Sequence, residues 1–168
     1  MLVTVIFSMN LKNPLSWLSL GFGSGLSPIA PGTMGSLVAL IVYYFFFNSL
    51  ATSLTNNFFF LIFIMISFLI GFYIYPKTVE KDDDPGSFVW DEFVGMWVAC
   101  LPLSYIESSF LWLLISFFLF RLFDIWKPLG IRIFDKGHGA FNVMIDDVIA
   151  GVYSAVSMIF LSTFFNYI

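Results

Sequence analysis

The feature that most constrains this chain is a run over residues 13–76 that contains no charged side chain. Charged residues make up only 11% of the whole chain, hydrophobic residues make up 60%, and the mean hydropathy is +0.94. Soluble globular domains carry about 25% charged residues, so this composition is typical of an integral membrane protein. For a chain of 168 residues, we predict a single domain over residues 1–168 with an all-α fold, a polytopic integral membrane helical bundle.

Five apolar runs predict about five short membrane spans. They cover residues 37–50, 58–75, 93–103, 109–123 and 148–165. The first would reach only about 21 Å, against a hydrocarbon thickness of about 30 Å, so its start must pack on the segment before it. Ahead of these runs, residues 1–9 predict an interfacial or partly inserted helix. Asn13-Pro14 predicts a helix start, because proline fits the first turn.

Basic residues are distributed unevenly over the predicted loops. If five spans alternate, all the lysines and arginines lie on one side, whereas the turns at residues 48–57 and 104–108 contain none. An excess of lysine and arginine marks the cytoplasmic side of a membrane protein. We therefore predict a multi-pass protein whose polar motifs face the cytoplasm. The net charge of −4, with no basic stripe, argues against nucleic acid as a partner.

A glycine-rich segment, residues 21–36, lies within the charge-free run. Irregular backbone at membrane depth survives only where it is buried in protein or lines a polar cavity, so we predict a re-entrant segment that lines a site. Glycines allow close approach to a ligand, and N–H groups near a helix start bind anions. The alternative is a purely structural re-entrant loop. The candidates for substrate binding in this segment are Ser24, Gly25, Thr33 and Gly35.

Two acidic pairs lie at the edges of apolar runs. Asp91-Glu92 precedes the third predicted span, and Asp146-Asp147 precedes the fifth, so each pair is predicted at a helix start. An acid at mid-bilayer costs about 2.5–3.5 kcal/mol on insertion scales, so such residues usually face a partner, a metal or a water-filled cavity. Two pairs indicate a shared divalent-cation site, and oxygen-only ligands favour Mg²⁺. The alternative for Asp146-Asp147 is stabilisation of a helix N-terminus.

Glycines follow both acidic pairs at helical spacing. Gly95 lies four residues after Asp91, and Gly151 lies four residues after Asp147. Residues four apart share a helix face, so each acid and its glycine are expected to face the bundle, where small residues let helices approach closely.

Cations lie at the end of the fourth span. Arg121 opens this segment, and Asp124 and Lys127 after it are three residues apart and share one helix face. They form either an interfacial salt bridge or a joint contact to a phosphate group. Together with clustered carboxylates, they favour phosphoester hydrolysis, in which a metal polarises a phosphoryl oxygen and Arg121 or Lys127 stabilises equatorial charge.

A transporter is the alternative from another class. A small ion or proton transporter also uses intramembrane carboxylates, but it predicts acids near mid-span and inverted repeats. Here the acids flank the apolar runs and no repeat is present. His138 is the single histidine, so no second histidine is present to complete a zinc site with it. The run Asp82-Asp83-Asp84 is typical of a solvated turn.

Four ordered motifs resemble those of the phosphatidylglycerophosphatase A family. They are the glycine-rich segment from Gly21 to Gly35, Asp84-Pro85-Gly86 followed by Asp91-Glu92-x-x-Gly95, Arg121-x-x-Asp124-x-x-Lys127-Pro128, and Asp146-Asp147-x-x-Ala150-Gly151. The resemblance implies a Mg²⁺-dependent membrane phosphatase that converts phosphatidylglycerophosphate to phosphatidylglycerol and phosphate. It also implies a place in phospholipid biosynthesis, on the route to cardiolipin, in a bacterial inner membrane.

The resemblance also implies the site residues. The catalytic candidates are Asp91, Glu92, Asp124, Lys127, Asp146 and Asp147. The candidate Mg²⁺ ligands among them are Asp91, Glu92, Asp146 and Asp147. Arg121 and Lys127 complete the substrate-binding set, and membrane lipid surrounds the protein.

Overall fold

The computed structural model describes residues 13–47, 54–79, 86–106, 109–128, 130–135 and 139–166. Its helices are α1 Pro14–Ser19, α2 Pro31–Phe46, α3 Leu54–Thr78, α4 Trp90–Ala99, α5 Phe110–Trp126, α6 Ile131–Asp135 and α7 Ala140–Asn166, with 3₁₀ helices at Gly21–Leu26 and Leu101–Ser104. No strand occurs in these ranges, so the all-α prediction is confirmed for them. The helix predicted at residues 1–9, the turn at Asp82-Asp83-Asp84 and His138 lie outside the described residues.

Helix α4 forms the centre of the bundle. Nine of its ten residues are buried, and it packs mainly against α7 and α2. Two indole N–H groups fix it in place: Trp90 donates to the carbonyl of Ser67 on α3 (2.9 Å), and Trp97 donates to the carbonyl of Ala39 on α2 (3.0 Å). Ten residues reach only about 15 Å, so α4 is too short to cross a hydrocarbon layer of about 30 Å.

The α4–α7 crossing is a backbone contact between glycines. A Cβ atom at Gly151 would meet the carbonyl oxygen of Gly95, and a Cβ atom at Gly95 would lie 2.6 Å from the carbonyl oxygen of Asp147. Gly95 and Gly151 therefore both face the bundle, as their spacing from Asp91 and Asp147 predicted. Such small-residue crossings bring two helix axes close together, and here they draw the two acidic pairs together.

The glycine-rich segment, residues 21–36, divides into a kinked 3₁₀ helix, Gly21–Leu26, a short irregular connection, and the first turns of α2, which begins at Pro31. Asn13 Oδ1 accepts a hydrogen bond from Leu15 N (3.0 Å), so α1 begins at Asn13-Pro14 as predicted. Beyond α1 the backbone turns through positive φ at Phe22 (57°) and Gly23 (101°). The carbonyl of Ser19 accepts a hydrogen bond from Val89 N (2.8 Å), which fastens α1 to the residues that lead into α4.

Two helices in the described part of the chain are long and apolar enough to cross a membrane, Asn57–Thr78 and Ala140–Phe165. Only 33% and 28% of their most apolar windows are buried, so most of this apolar surface faces outward, as lipid-contacting helices require. Each of the five predicted runs overlaps a helix. The third run corresponds to α4, which is short and buried at the centre of the bundle. The count of five spans stays a prediction.

Two predicted helix starts are wrong: α2 begins at Pro31, inside the segment predicted as re-entrant, and α7 begins before the acidic pair. Asp146-Asp147 was placed at a helix start, but α7 begins at Ala140, so the pair lies in the second turn. The helix starts earlier because Val143 and Met144 are buried, and Met144 fills the space beside Gly71 of α3. Stabilisation of a helix N-terminus therefore does not explain this acidic pair.

Candidate functional site

Three carboxylates from two helices meet at the α4–α7 crossing. One oxygen from each of Asp91, Glu92 and Asp147 can be chosen so that all three lie within 4.8 Å of one another. Asp91 and Glu92 occupy the first turn of α4, whereas Asp147 occupies the second turn of α7. Asp91 is 6% exposed and Asp147 is 3% exposed. Asp147 of the second acidic pair thus lies beside both members of the first pair, and the shared metal site itself stays a prediction.

Asp146 points to a different partner. Its Oδ2 atom lies 2.7 Å from Lys127 Nζ, and its Oδ1 atom accepts a hydrogen bond from Asp147 N (3.0 Å). The ammonium group balances this carboxylate, while the cluster of three suited to a metal ion comprises Asp91, Glu92 and Asp147 among the described residues. The prediction that Asp146 is also a metal ligand stays a prediction.

Asp124 lies between the two cations of the site. Arg121 Nη1 is 2.7 Å from Asp124 Oδ2, and Lys127 Nζ is 4.0 Å from Asp124 Oδ1. A chain of charges therefore runs from Arg121 through Asp124 and Lys127 to Asp146, linking α5 to α7. The ion pair that the sequence offered as one alternative for Asp124 and Lys127 is present, but Asp124 lies closer to Arg121.

Lys127 has a strained backbone. Its φ angle is +47°, a left-handed conformation that side chains with a Cβ rarely adopt. Pro128 follows it, and a proline disfavours α-helical geometry in the preceding residue. Helix α5 therefore ends here, with Lys127 N donating to the carbonyl of Phe123 (2.8 Å).

The first turn of α2 closes the site from the other side. A Cβ atom at Gly32 would meet Glu92 Oε1 and would lie 3.5 Å from Arg121 Nη1. One turn later, Ser36 Oγ accepts a hydrogen bond from Arg121 Nη1 (3.2 Å) and donates to the carbonyl of Gly32 (2.8 Å). Gly32 and Ser36 are the contacts that the sequence interpretation did not single out, although their spacing of four places them on one helix face.

The other candidates of the glycine-rich segment have structural neighbours. A Cβ atom at Gly25 would meet the carbonyl oxygen of Ser87, and one at Gly35 would lie 2.8 Å from Val89 Cβ. Ser24 Oγ donates to the carbonyl of Gly21 (2.9 Å), and Thr33 is partly exposed in the first turn of α2. Tight packing explains both glycines, so substrate contact by these four residues stays a prediction.

Glu92 lies in an environment that is unfavourable for a negative charge. The pKa of its carboxyl group is raised to about 7, mainly by burial and also by the nearby Asp124, while the hydrogen bond with the Asp91 side chain and the charge of Arg121 act in the opposite direction. Its Oε2 atom is buried and has no hydrogen-bond partner among the described residues. A buried carboxylate oxygen without a partner is costly, and a cation held by the three carboxylates would satisfy it. An all-oxygen donor set fits Mg²⁺.

Comparison with known proteins identifies the family. The family model described as phosphatidylglycerophosphatase A matches residues 17–162. The chain belongs to the phosphatidylglycerophosphatase A family. The matched region contains all the motif residues that form the charged site, from Gly32 to Asp147.

Relatives in this family cover most of the chain. Phosphatidylglycerophosphatase A from Escherichia coli (strain K12) is 43% identical over 156 residues, 91% of this chain and 86% of that protein. The protein of the same name from Haemophilus influenzae is 42% identical over 151 residues, 88% of each. A putative phosphatidylinositol-3-phosphatase from Bacteroides thetaiotaomicron is 38% identical over 137 residues, 81% of this chain and 86% of that protein. No solved structure matches.

Proposed function

We propose that this protein is a lipid phosphatase that hydrolyses phosphatidylglycerophosphate to phosphatidylglycerol and inorganic phosphate in phospholipid biosynthesis. The observation that carries the proposal is the convergence of Asp91, Glu92 and Asp147 beside two cations, in a chain of the phosphatidylglycerophosphatase A family. The family relation also favours this reading over the transporter alternative.

Asp91, Glu92 and Asp147 are the proposed Mg²⁺ ligands. They supply only oxygen donors, and Glu92 Oε2 has no other partner among the described residues. When bound, Mg²⁺ would polarise a phosphoryl oxygen and offset the negative charge that otherwise repels a phosphorylated lipid.

The cations and the first turn of α2 are proposed to bind the phosphate group. Arg121 offers a planar fork and Lys127 a compact charge, and both stabilise negative charge on phosphoryl oxygens. Asp124 keeps both cations in place through its two oxygens. The phosphoryl group passes to water, the phosphorus–oxygen bond to glycerol breaks, and the glycerol oxygen takes up a proton. A buried carboxylate of the cluster is suited to orient the attacking water.

The protein is proposed to lie in a bacterial inner membrane as a multi-pass protein, with the site facing the cytoplasm. The outward apolar surfaces of α3 and α7 support membrane insertion. Trp126, which is 60% exposed, and Ile125, which is 71% exposed, lie beside Lys127. Exposed aromatic and basic side chains at a helix end are typical of a membrane interface, and phosphorylated headgroups lie at that depth.

Phosphate release from phosphatidylglycerophosphate by purified, detergent-solubilised protein tests the proposal. We expect release that requires Mg²⁺ and that falls at least about 100-fold in Asp147→Asn. Ser162→Ala, which changes a serine near the far end of α7, serves as the matched control. Phosphatidylinositol 3-phosphate is the competing substrate, because one relative bears that activity in its name. Faster hydrolysis of that lipid would reassign the substrate, and no hydrolysis of either by folded protein would refute the proposal.

A further inference from the structure

Ser36 is a buried residue that contacts the charged site but has no place in the chemistry proposed above. It is fully buried, and its hydroxyl group joins the first turn of α2 to Arg121 of α5. The hydroxyl accepts from Arg121 Nη1 (3.2 Å) and donates to the carbonyl of Gly32 (2.8 Å). Because the hydroxyl hydrogen points to the Gly32 carbonyl, a lone pair of Oγ is directed to Arg121, and this sets the position of Nη1.

Both polar contacts of Arg121 to the described residues use the same nitrogen. Nη1 donates to Ser36 Oγ and lies 2.7 Å from Asp124 Oδ2. Nε is buried and has no hydrogen-bond partner among the described residues. The Nε–Nη2 edge is one of the two edges through which a guanidinium group binds two oxygens of one phosphate.

The environment of Arg121 matches a negatively charged ligand. Its side chain is only 13% exposed, so an unsatisfied N–H group carries a desolvation penalty that a ligand oxygen would remove. Gly32 has Glu92 Oε1 and Arg121 Nη1 as neighbours, which places the guanidinium group beside the carboxylate cluster. A phosphate held by Arg121 would therefore lie close to the proposed metal ligands.

We propose that Ser36 is a positioning residue: with Asp124 it holds Nη1 of Arg121, so that the Nε–Nη2 edge is presented to two oxygens of the substrate phosphate. Ser36 acts only through Arg121 and touches no reacting atom. The identity of the ligand as a phosphate monoester rests on the proposed function.

A double-mutant cycle on purified protein tests this role. The variants are Ser36→Ala, Arg121→Gln and the double variant. Ser116→Ala is the matched control, because Ser116 is also fully buried and also donates to a carbonyl of its own helix (2.8 Å to Leu113). Two experiments are run. Kinetics give the KM for lipid and the constant for inhibition of lipid hydrolysis by inorganic phosphate, and thermal unfolding gives the rise in unfolding temperature that inorganic phosphate produces in the presence of Mg²⁺.

We expect Ser36→Ala to raise the KM for lipid and the phosphate inhibition constant about tenfold, the effect of one charge-assisted hydrogen bond. We expect no further loss of phosphate binding when Ser36→Ala is added to Arg121→Gln, because coupled residues are not additive. Ser116→Ala should change neither quantity by more than about twofold. An unchanged inhibition constant in Ser36→Ala, or an undiminished effect of that change in the Arg121→Gln background, would overturn the proposal.

The unfolding measurement separates this inference from the proposed function, because phosphate binding needs no turnover. If wild-type protein hydrolyses neither lipid, the proposed function fails. Phosphate stabilisation that disappears in both Ser36→Ala and Arg121→Gln would still support the positioning role. Equal stabilisation of wild type and Ser36→Ala would reject it, whatever the activity.

Discussion

At the scale of single residues, Lys127 shows how a local signal and a distant partner combine. The following proline ends α5, and the left-handed backbone at Lys127 (φ +47°) directs the chain away from the helix. The ammonium group then lies 2.7 Å from Asp146 Oδ2 and 4.0 Å from Asp124 Oδ1. Strained conformations of this kind cluster at functional sites, where surrounding contacts maintain them.

Removing the charge of Lys127 should leave Asp146 without its counter-ion. We expect Lys127→Gln to lower the free energy of unfolding by about 2 kcal/mol, less than for a fully buried pair because the lysine is partly exposed. Adding Asp146→Asn should restore part of this loss. Thermal unfolding in detergent measures both. Lys77→Gln is the control, since Lys77 Nζ lies over the ring of Tyr73 (3.5 Å) and away from the carboxylates; an equal loss there would contradict the argument.

The two adjacent aspartates of α7 should differ in their response to metal. Asp147 lies in the carboxylate cluster, whereas Asp146 pairs with Lys127. We expect Asp147→Asn to abolish the rise in unfolding temperature that Mg²⁺ produces, and Asp146→Asn to retain most of it while lowering activity. Glu107→Gln, which changes an acid outside the four motifs, should behave as wild type. Loss of Mg²⁺ stabilisation in Asp146→Asn would assign Asp146 to the metal as well.

At the scale of helices, the α4–α7 crossing brings the carboxylates together. Gly151 packs against the Gly95 carbonyl, and a Cβ atom at Gly151 would lie 2.9 Å from Val98 Cβ. Both neighbours belong to α4, a helix that is buried on nearly every side. Even a small separation of α4 from α7 would therefore move Asp147 away from Asp91.

A methyl group at Gly151 should separate α4 from α7. We expect Gly151→Ala to destabilise the protein by about 1–3 kcal/mol, as overpacking does, and to lower activity at least tenfold, because a shift of about 1 Å at a catalytic group is costly. Unfolding temperature and phosphate release are the measurements. Gly86→Ala is the matched control, since a Cβ atom there meets nothing within 4 Å. Full activity in Gly151→Ala would contradict this expectation and show that the site tolerates a wider separation between α4 and α7.

At the scale of the whole molecule, the apolar and charged residues are separated. The helices long enough to span a membrane, α3 and α7, expose most of their apolar surface, while the ion pairs join the C-terminal end of α5 to the N-terminal half of α7. The short helix α4 is shielded from the surroundings by the other helices. This arrangement buries Asp91 and Asp147 inside the bundle, away from its exposed apolar surface.

Labelling of single cysteines tests the proposed orientation. Cys100 is buried, so Cys100→Ala provides the background, with Thr52→Cys and Asp83→Cys as reporters on the two predicted sides. In intact cells we expect a membrane-impermeant maleimide to label Thr52→Cys and to reach Asp83→Cys only after lysis. The opposite pattern would place the site outside the cytoplasm, and labelling of both reporters in intact cells would contradict a multi-pass arrangement.

Local patterns along the sequence determined the helices and the chemistry. The apolar runs predicted where helices lie, although α2 begins at Pro31, inside the segment predicted as re-entrant. Asn13-Pro14 predicted the start of α1, and the four motifs indicated the phosphatase family. These features depend on neighbouring residues: hydrophobicity and proline geometry act within a few residues, and motif spacing is linear. The start of α7 was misplaced because burial of Val143 and Met144 by other helices extends it.

Only the tertiary structure decided which charges are partners. The sequence named Asp146 and Asp147 together as metal ligands, although the spacing of Asp147 and Gly151 predicted that Asp147 faces the bundle. It also favoured Thr33 and Gly35 over Gly32 and Ser36. The glycine crossing of α4 and α7 directs Asp147 to the carboxylate cluster, and the end of α5 brings Lys127 to Asp146. These pairings depend on how helices distant in sequence rotate and cross, which is set by packing over the whole bundle and leaves no signal at any single position.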